Sequence, residues 1–441
     1  MRLFCLEAYR TATPSRLHSM SSIPDPPYQR PAFPMLQTGN DAIDLALWQV
    51  LRDVLLWAST PQEIRRTLFI APGDVVRERM EAAAEAAPLL ADPLAVLARI
   101  RILPDRVAPE RLAVACDRVY EWADRAGLLA VAVHFAEASA YVEPMNPRWA
   151  VRAGYMTRTA GGREMLGRSH VWHERAFLLA AHLGDREMSV RALTGAGALW
   201  HDCGNSARAR RYYLQAARRA LRTSRKRRAA VALHYAFVID VETGHFRVAV
   251  RDGNAALRNY PLHDERIPAL AHDVAYLLIL NHHYGTALRL VDGLGGRVEG
   301  VAAMGMLYGI AARAAAGAGA ESSYTAAAEA ALGIARISDE CAGPVFMNLA
   351  EAARFYGHWE AAQGHAGRAL AAAQRRADAE LERLATELQR RIRRREPPPP
   401  ASEPSADSPL AALARRLAAR LRRWRRYTRG VGSGVQGQVT G

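Results

Sequence analysis

The residues best suited to chemistry are histidines and carboxylates at helical spacing. His170, His173 and Glu174 stand at i, i+3 and i+4, on one face of a helix. Such a set could begin a zinc site, but a metal wants a further ligand and the sequence implies none. His282 and His283 are adjacent and project in different directions from a helix. Asp117, Glu121 and Asp124 share a face with Arg118 and Arg125, which intrahelical ion pairing accounts for. Cys5, Cys116, Cys203 and Cys341 are far apart with no C-x-x-C pair, so neither a disulfide scaffold nor a cysteine-rich metal site is expected. No phosphate-binding glycine loop, no H-E-x-x-H and no G-x-S-x-G is present. The expectation is therefore no catalytic residue, no metal, no cofactor and no small-molecule substrate.

The elements that must hold these residues are helices. Half of the 441 residues are apolar but only 7% are aromatic, so the apolar half is mostly small. An alanine excess favours close-packed helices and argues against an all-β protein. From about residue 41 the apolar positions fall at helical spacing, as in Ile43, Leu47, Val50, Leu51, Val54 and Leu55, and the breaks are Gly, Asn, Asp and Pro. Pro24, Pro26, Pro27, Pro31 and Pro34 predict a disordered segment over 1–38, followed by a helical N-terminal region over 39–109. The N-terminus is basic and lacks the long apolar core of a secretory signal. The most apolar window, 301–320, is interrupted by Arg313 and too rich in Ala and Gly to span a membrane, so a cytoplasmic protein is expected. Lys226 is the single lysine. With the alanine excess this reads as a GC-rich bacterial genome, in which an arginine carries less functional information than usual.

A repeat organises the helices. Gly204 is preceded by Gly197 and Trp200 and followed by Ala209, Tyr213 and Ala216 at offsets of five, nine and twelve. Small residues let two antiparallel helices approach, and larger ones fill the seam between them. The same template fits Gly244, with Ala249, Ala256 and Pro261, and Gly357, with Ala350, Ala362 and Ala369. It fits Gly127 with Ala132 and Pro144, although Ser139 takes the last small position. His282 stands where a turn glycine belongs, before Ala287, and weaker copies surround Gly162 and Gly319. Gly253 departs from the template, because an aromatic is usual there. Successive anchors lie 35 to 42 residues apart.

This pattern resembles the tetratricopeptide repeat, whose standard unit is about 34 residues. The resemblance covers roughly 110–375. It implies an all-α solenoid of antiparallel helix pairs, with a repeat domain over 110–395. It also implies that the first helix of each pair lines a concave groove holding a protein or peptide segment. Carried over by offset, the groove positions are Asp117, Arg118, Glu121, Arg191, His201, Asp202, His234, Tyr235, Glu242, His272, Asp273, Tyr276, Asn348, Glu351 and Arg354. Asn348 matches an asparagine that some members use to hold a peptide's C-terminal carboxylate, but the accompanying lysine is absent. The implied function is a non-catalytic scaffold or regulatory adaptor.

The net charge of +15 is unevenly placed. Residues 206–228 hold ten basic residues and no acidic one, and 390–441 carry a net +10. Arg211, Arg218 and Arg222 in the first stretch mark either a solvated outer face or an anion-binding face. The second stretch contains a Pro-rich linker over 396–409 and then, over 410–441, a basic amphipathic helix and flexible tail. Leu410, Leu413, Leu417, Leu421 and Trp424 form its apolar stripe, flanked by Arg416, Arg420 and Arg423. Such a helix suits an anionic membrane surface, nucleic acid or a groove on a partner. The alternative function is thus a nucleic-acid-associated transcriptional regulator using both basic stretches, although 41–105 offers no clear recognition helix.

Overall fold

The computed structural model describes residues 36–69, 73–295, 298, 300–376 and 378–432, and these fold into nineteen α-helices and two short 3-10 turns, with no strand among them. The segment over 1–35 lies outside the described residues. Leu36, inside the expected disordered stretch, is 2% exposed and joins the core. The chain divides into two compact units, Met1–Arg228 and Ala229–Gly441.

The first unit begins with α1 (Asp41–Ser59), α2 (Gly73–Ala86) and α3 (Ala91–Ile102). Three helix hairpins follow: α4 (Pro109–Arg125) with α5 (Leu129–Val142), α6 (Pro147–Ala160) with α7 (Gly162–His182), and α8 (Arg186–Asp202) with α9 (Ser206–Arg222). Asn40, Asn146, Asp185 and Asn205 accept hydrogen bonds from the free backbone N–H groups at the starts of α1, α6, α8 and α9. One apolar core runs from Leu36 to Ala192, so α1–α3 share the core of the hairpins. Trp57 anchors α1, its indole Nε1 donating to the Pro104 carbonyl at 2.6 Å.

A buried polar network ties α5 to α7. Arg168 Nε and Nη2 donate to Glu137 Oε1 at 2.9 and 2.7 Å, and Trp172 Nε1 donates to the same oxygen at 2.8 Å. Arg168 Nη2 also donates to the Tyr141 hydroxyl at 3.2 Å. Glu137 is 1% exposed. Removing one partner of such a pair leaves a buried charge uncompensated. Glu137→Ala is expected to cost about 3–5 kcal/mol, read from the urea midpoint; a loss under about 1 kcal/mol would show that the pair is solvated.

The second unit takes in α10 (Lys226–Glu242), whose first turn belongs to the first unit, paired with α11 (Phe246–Asn259). It continues with α12 (Ile267–Leu280) and α13 (Tyr284–Asp292), α14 (Val301–Gly317) and α15 (Glu321–Ala335), α16 (Asp339–Phe355) and α17 (Trp359–Arg376), α18 (Ala379–Arg393) and α19 (Pro409–Gly432). Six of the seven turn anchors lie between the two helices of a hairpin and Gly162 opens α7; all have positive φ, Gly127, Gly162, Gly204, Gly244, Gly319 and Gly357 between 68° and 78° and His282 at 61°. Such a backbone is nearly free for glycine and costs other residues about 1–2 kcal/mol. The small offsets are fully buried: Ala132, Ala209, Ala216, Ala249, Ala256, Ala287, Ala362 and Ala369 are all 0% exposed. Ser139 is tolerated at its small position because its hydroxyl donates to the Ala113 carbonyl of the facing helix at 3.1 Å. Tyr213 fills the α8/α9 seam against Gly197, where a Cβ would overlap its ring.

Sequence alone set the C-terminal helix apart behind a stiff linker. In the structure it returns to its own unit and packs on α11, α12 and α13. Leu413, Leu417 and Leu421 of the apolar stripe are at most 1% exposed. Gly253, the departure from the repeat template, explains the seat: a Cβ there would meet Phe237 and Leu413. The missing aromatic leaves the space that α19 occupies. The linker is also held, with Ser402 N–H donating to the His282 carbonyl at 2.9 Å and Glu403 accepting from the Thr286 hydroxyl at 2.7 Å. Among the described residues, no helix is long and apolar enough to cross a membrane.

Candidate partner-binding face

In the first unit the first helices of the hairpins carry a band of arginines around two carboxylates. Asp117 on α4 is 5% exposed and is approached by Arg148 and Arg152 of α6 at 3.4 and 3.3 Å. Burial raises the Asp117 pKa, against the opposing pull of Arg152 and Arg148. Arg152 also lies over the Tyr120 ring at 4.4 Å. On α8, Glu187 accepts from Arg225 at 2.6 Å and from Arg228 at 2.9 Å. Arg191, one turn after Glu187, is half-buried, and among the described residues it makes no hydrogen bond or ion pair. Burial, with Arg228 and Arg152 nearby, holds its pKa below the ordinary arginine value, against a smaller opposing effect of Glu187.

The remaining groove positions of this unit behave differently. Arg118 is exposed, and Glu121 faces Arg125 one turn on at 3.7 Å. His201 is half-buried, and Asp202 pairs with Arg158 at 2.6 Å beside the hairpin turn. Arg211, Arg218 and Arg222 are exposed on α9, the second helix of its pair.

In the second unit the structure brings His234, Tyr235, His272 and Asp273 together. His234 Nε2 and His272 Nδ1 lie 2.8 and 2.9 Å from the two Asp273 oxygens. Burial opposes the Asp273 charge, but the hydrogen bonds of His234 and His272 outweigh it and hold the carboxyl well below the usual carboxylate range. His234 Nδ1 meets the Tyr260 hydroxyl at 3.2 Å, and Arg266 donates to the Tyr235 hydroxyl at 3.2 Å. Tyr276 is half-buried on the same helix as His272, and Glu242 is exposed at the end of α10.

The positions on α16 are committed to the fold. The Arg354 side chain has no exposure; it pairs with Glu351 and donates to the Glu396 carbonyl at 2.7 Å. Glu351 is approached by Arg313 at 3.9 Å and Arg391 at 3.5 Å. Asn348 is 8% exposed and donates to the Pro344 carbonyl within its own helix at 3.0 Å. Glu351 ties α14, α16 and α18 together, and Arg354 fastens α16 to the backbone just after α18.

Two of the tail arginines are spent within the molecule. Arg416 donates to the Asn254 side chain, and Arg420 donates to the Leu257 and Tyr260 carbonyls at the end of α11 at 2.6 and 3.1 Å. Arg423 is exposed, and the Trp424 side chain lies outside the described residues.

No protein-family model matches the chain, and no curated protein matches it. Among solved structures, one match is a circular tandem repeat protein with novel repeat topology and enhanced subunit contact surfaces, 16% identical over 89% of this chain and 99% of that one, with a TM-score of 0.16. Overlap at that score carries no argument, and the helical-repeat architecture rests on the hairpins themselves.

Among the described residues, no three His, Cys, Asp or Glu side chains converge as a metal ion would require. His173 is instead wedged between α6 and α8, where a Cβ at Gly154 or Gly195 would overlap its ring. His170 turns its edge toward Trp200, with ring centroids 5.8 Å apart. The recess beside them, lined in part by Glu174, Phe177 and Tyr212, holds about one water at most. The residues that sequence reasoning missed are Arg148, Arg152, Glu187, Arg225 and Arg228, with Tyr260 and Arg266. A signal existed for the first pair, at i and i+4 on a first helix, but the template around Gly162 was too weak to register α6.

Proposed function

We propose that this chain is a tetratricopeptide-like binding module that holds a segment of a protein partner on the first helices of its hairpins. In this reading it is a cytoplasmic scaffold or regulatory adaptor with no catalysis, cofactor or small-molecule substrate of its own. The observation that carries it is the contrast between faces: the first helices present half-buried Arg191, Tyr235, His272 and Tyr276, while the seams behind them are closed by alanine. Stacked helical repeats use such surfaces for extended recognition. The test is photocrosslinking in cells, with a crosslinker placed at Tyr235 or Tyr276 and, as a control, at Arg211 or Arg218. A discrete protein adduct from the first-helix positions alone is expected. Adducts from the control positions alone, or from none, would reject the reading.

A second reading has one observation in its favour. Arg211, Arg218 and Arg222 are exposed, as a nucleic-acid-facing stripe would require. It is weakened because Arg416 and Arg420 of the second basic stretch are engaged within the molecule.

A further inference from the structure

We propose that Arg191, with Arg148, Arg152 and Arg228 around it, is a receptor for an acidic side chain of the partner, so that the segment recognised by the first unit is rich in Asp or Glu. This rests on the proposed function and gives it a chemistry. The band holds five arginines, counting Arg225, and two carboxylates, and four of the five arginines are paired. Arg148 and Arg152 share Asp117, and Arg225 and Arg228 share Glu187. Among the described residues, no acceptor meets the donors of Arg191.

Its position makes that costly. Helices α6 and α8 pack directly, and Glu187 and Arg191 share a face of α8 at i and i+4. Arg191 is half-buried, so its guanidinium loses solvation, and Arg228, Arg152 and Arg148 add like charge against it. A solvated surface arginine has water in place of a protein acceptor, and this one has only part of that. A carboxylate supplied from outside would accept from its fork in the paired geometry that arginine favours. The ligand class follows from the two resident carboxylates. Glu187 stands one turn before Arg191, and Asp117 lies against Arg148 and Arg152, so a continuous run of phosphates along the band would meet two carboxylates. A peptide can place one or two carboxylates between them.

The test uses the full chain and a labelled hexaglutamate peptide at low ionic strength, with an oligothymidylate of equal charge as competitor. Arg191→Gln is expected to weaken hexaglutamate binding by about tenfold, and Arg191→Lys to restore only part of it. The double variant Arg211→Gln, Arg218→Gln removes twice the charge from α9 and is expected to change binding less than about twofold. Because the fold gains nothing from an unpaired half-buried cation, Arg191→Gln is expected to keep or raise the Tm. A Tm lowered by several degrees would show a structural cation and overturn the proposal. So would equal weakening by the α9 variant, tighter binding of the oligothymidylate with the same dependence on Arg191, or no hexaglutamate binding by the unaltered chain. Crosslinking from Tyr235 and Tyr276 is independent of these outcomes, so a failure here leaves the broader reading separately testable.

Discussion

Deleting residues 397–441 is expected to destabilise the second unit severely rather than release an idle basic tail. Leu413 and Leu417 are 0% exposed and Leu421 is 1% exposed, all against α11–α13. Full burial of each leucine is worth about 1.5–3 kcal/mol, so the three together rival the whole stability of an ordinary domain. Arg420 adds a polar clasp on the last carbonyls of α11, groups that have no partner within their own helix. The single substitution Leu417→Ala is expected to cost about 2–5 kcal/mol. Both changes are read as a lowered urea midpoint, with amide hydrogen exchange rising in α11, α12 and α13. An unchanged midpoint in the truncated chain would show that α19 is undocked in solution. Deleting this stretch therefore cannot isolate its charge. Arg423→Glu is the cleaner probe, since Arg423 is exposed and its loss leaves the apolar stripe intact.

Acid is expected to destabilise the first unit through His173. The ring is 2% exposed, neither nitrogen has a hydrogen-bond partner, and burial, with Arg158 and His170 adding to it, pushes its pKa down to about 3. Above the unfolded value of about 6.5 both states are neutral and the residue contributes no pH dependence. Below it the unfolded chain takes up a proton that the folded chain refuses, so stability falls as pH falls until the folded group also titrates. The slope is about 1.4 kcal/mol per pH unit, and the loss between pH 6.5 and 3 is on the order of 5 kcal/mol. His173→Asn removes the titration and leaves a small packing defect. It is expected to be less stable than the unaltered chain at pH 7 and to lose less stability between pH 6 and pH 4. The measurement is a series of urea midpoints over that range; parallel slopes in the two chains would show that the ring is hydrated.

Much of the fold was legible in residue spacing. The turn glycines and the alanines at small offsets belong to contacts between helices adjacent in the chain, and a local contact leaves a local pattern. The candidate face was legible only in part. Tyr235, His272, Asp273 and Arg191 were found by offset, but the offset could not say which of them face outward. Arg354 matches the pattern as well as Arg191 does, yet it is fully buried because Glu351 and the Glu396 carbonyl claim it.

The sequence by itself determined an all-helical chain of hairpins with a period of 35 to 42 residues, because turn conformation and close helix approach demand particular residues at particular places. Tertiary structure alone decided the fate of the charges and of the final helix. An arginine's identity does not reveal whether its partner lies one turn away or on another helix. That is why Arg152 is paired and, among the described residues, Arg191 is not. Likewise, an amphipathic helix carries the same stripe whether it meets a membrane, a partner or its own chain. The gap at Gly253, filled in part by Leu413, shows that this stripe lies against its own unit.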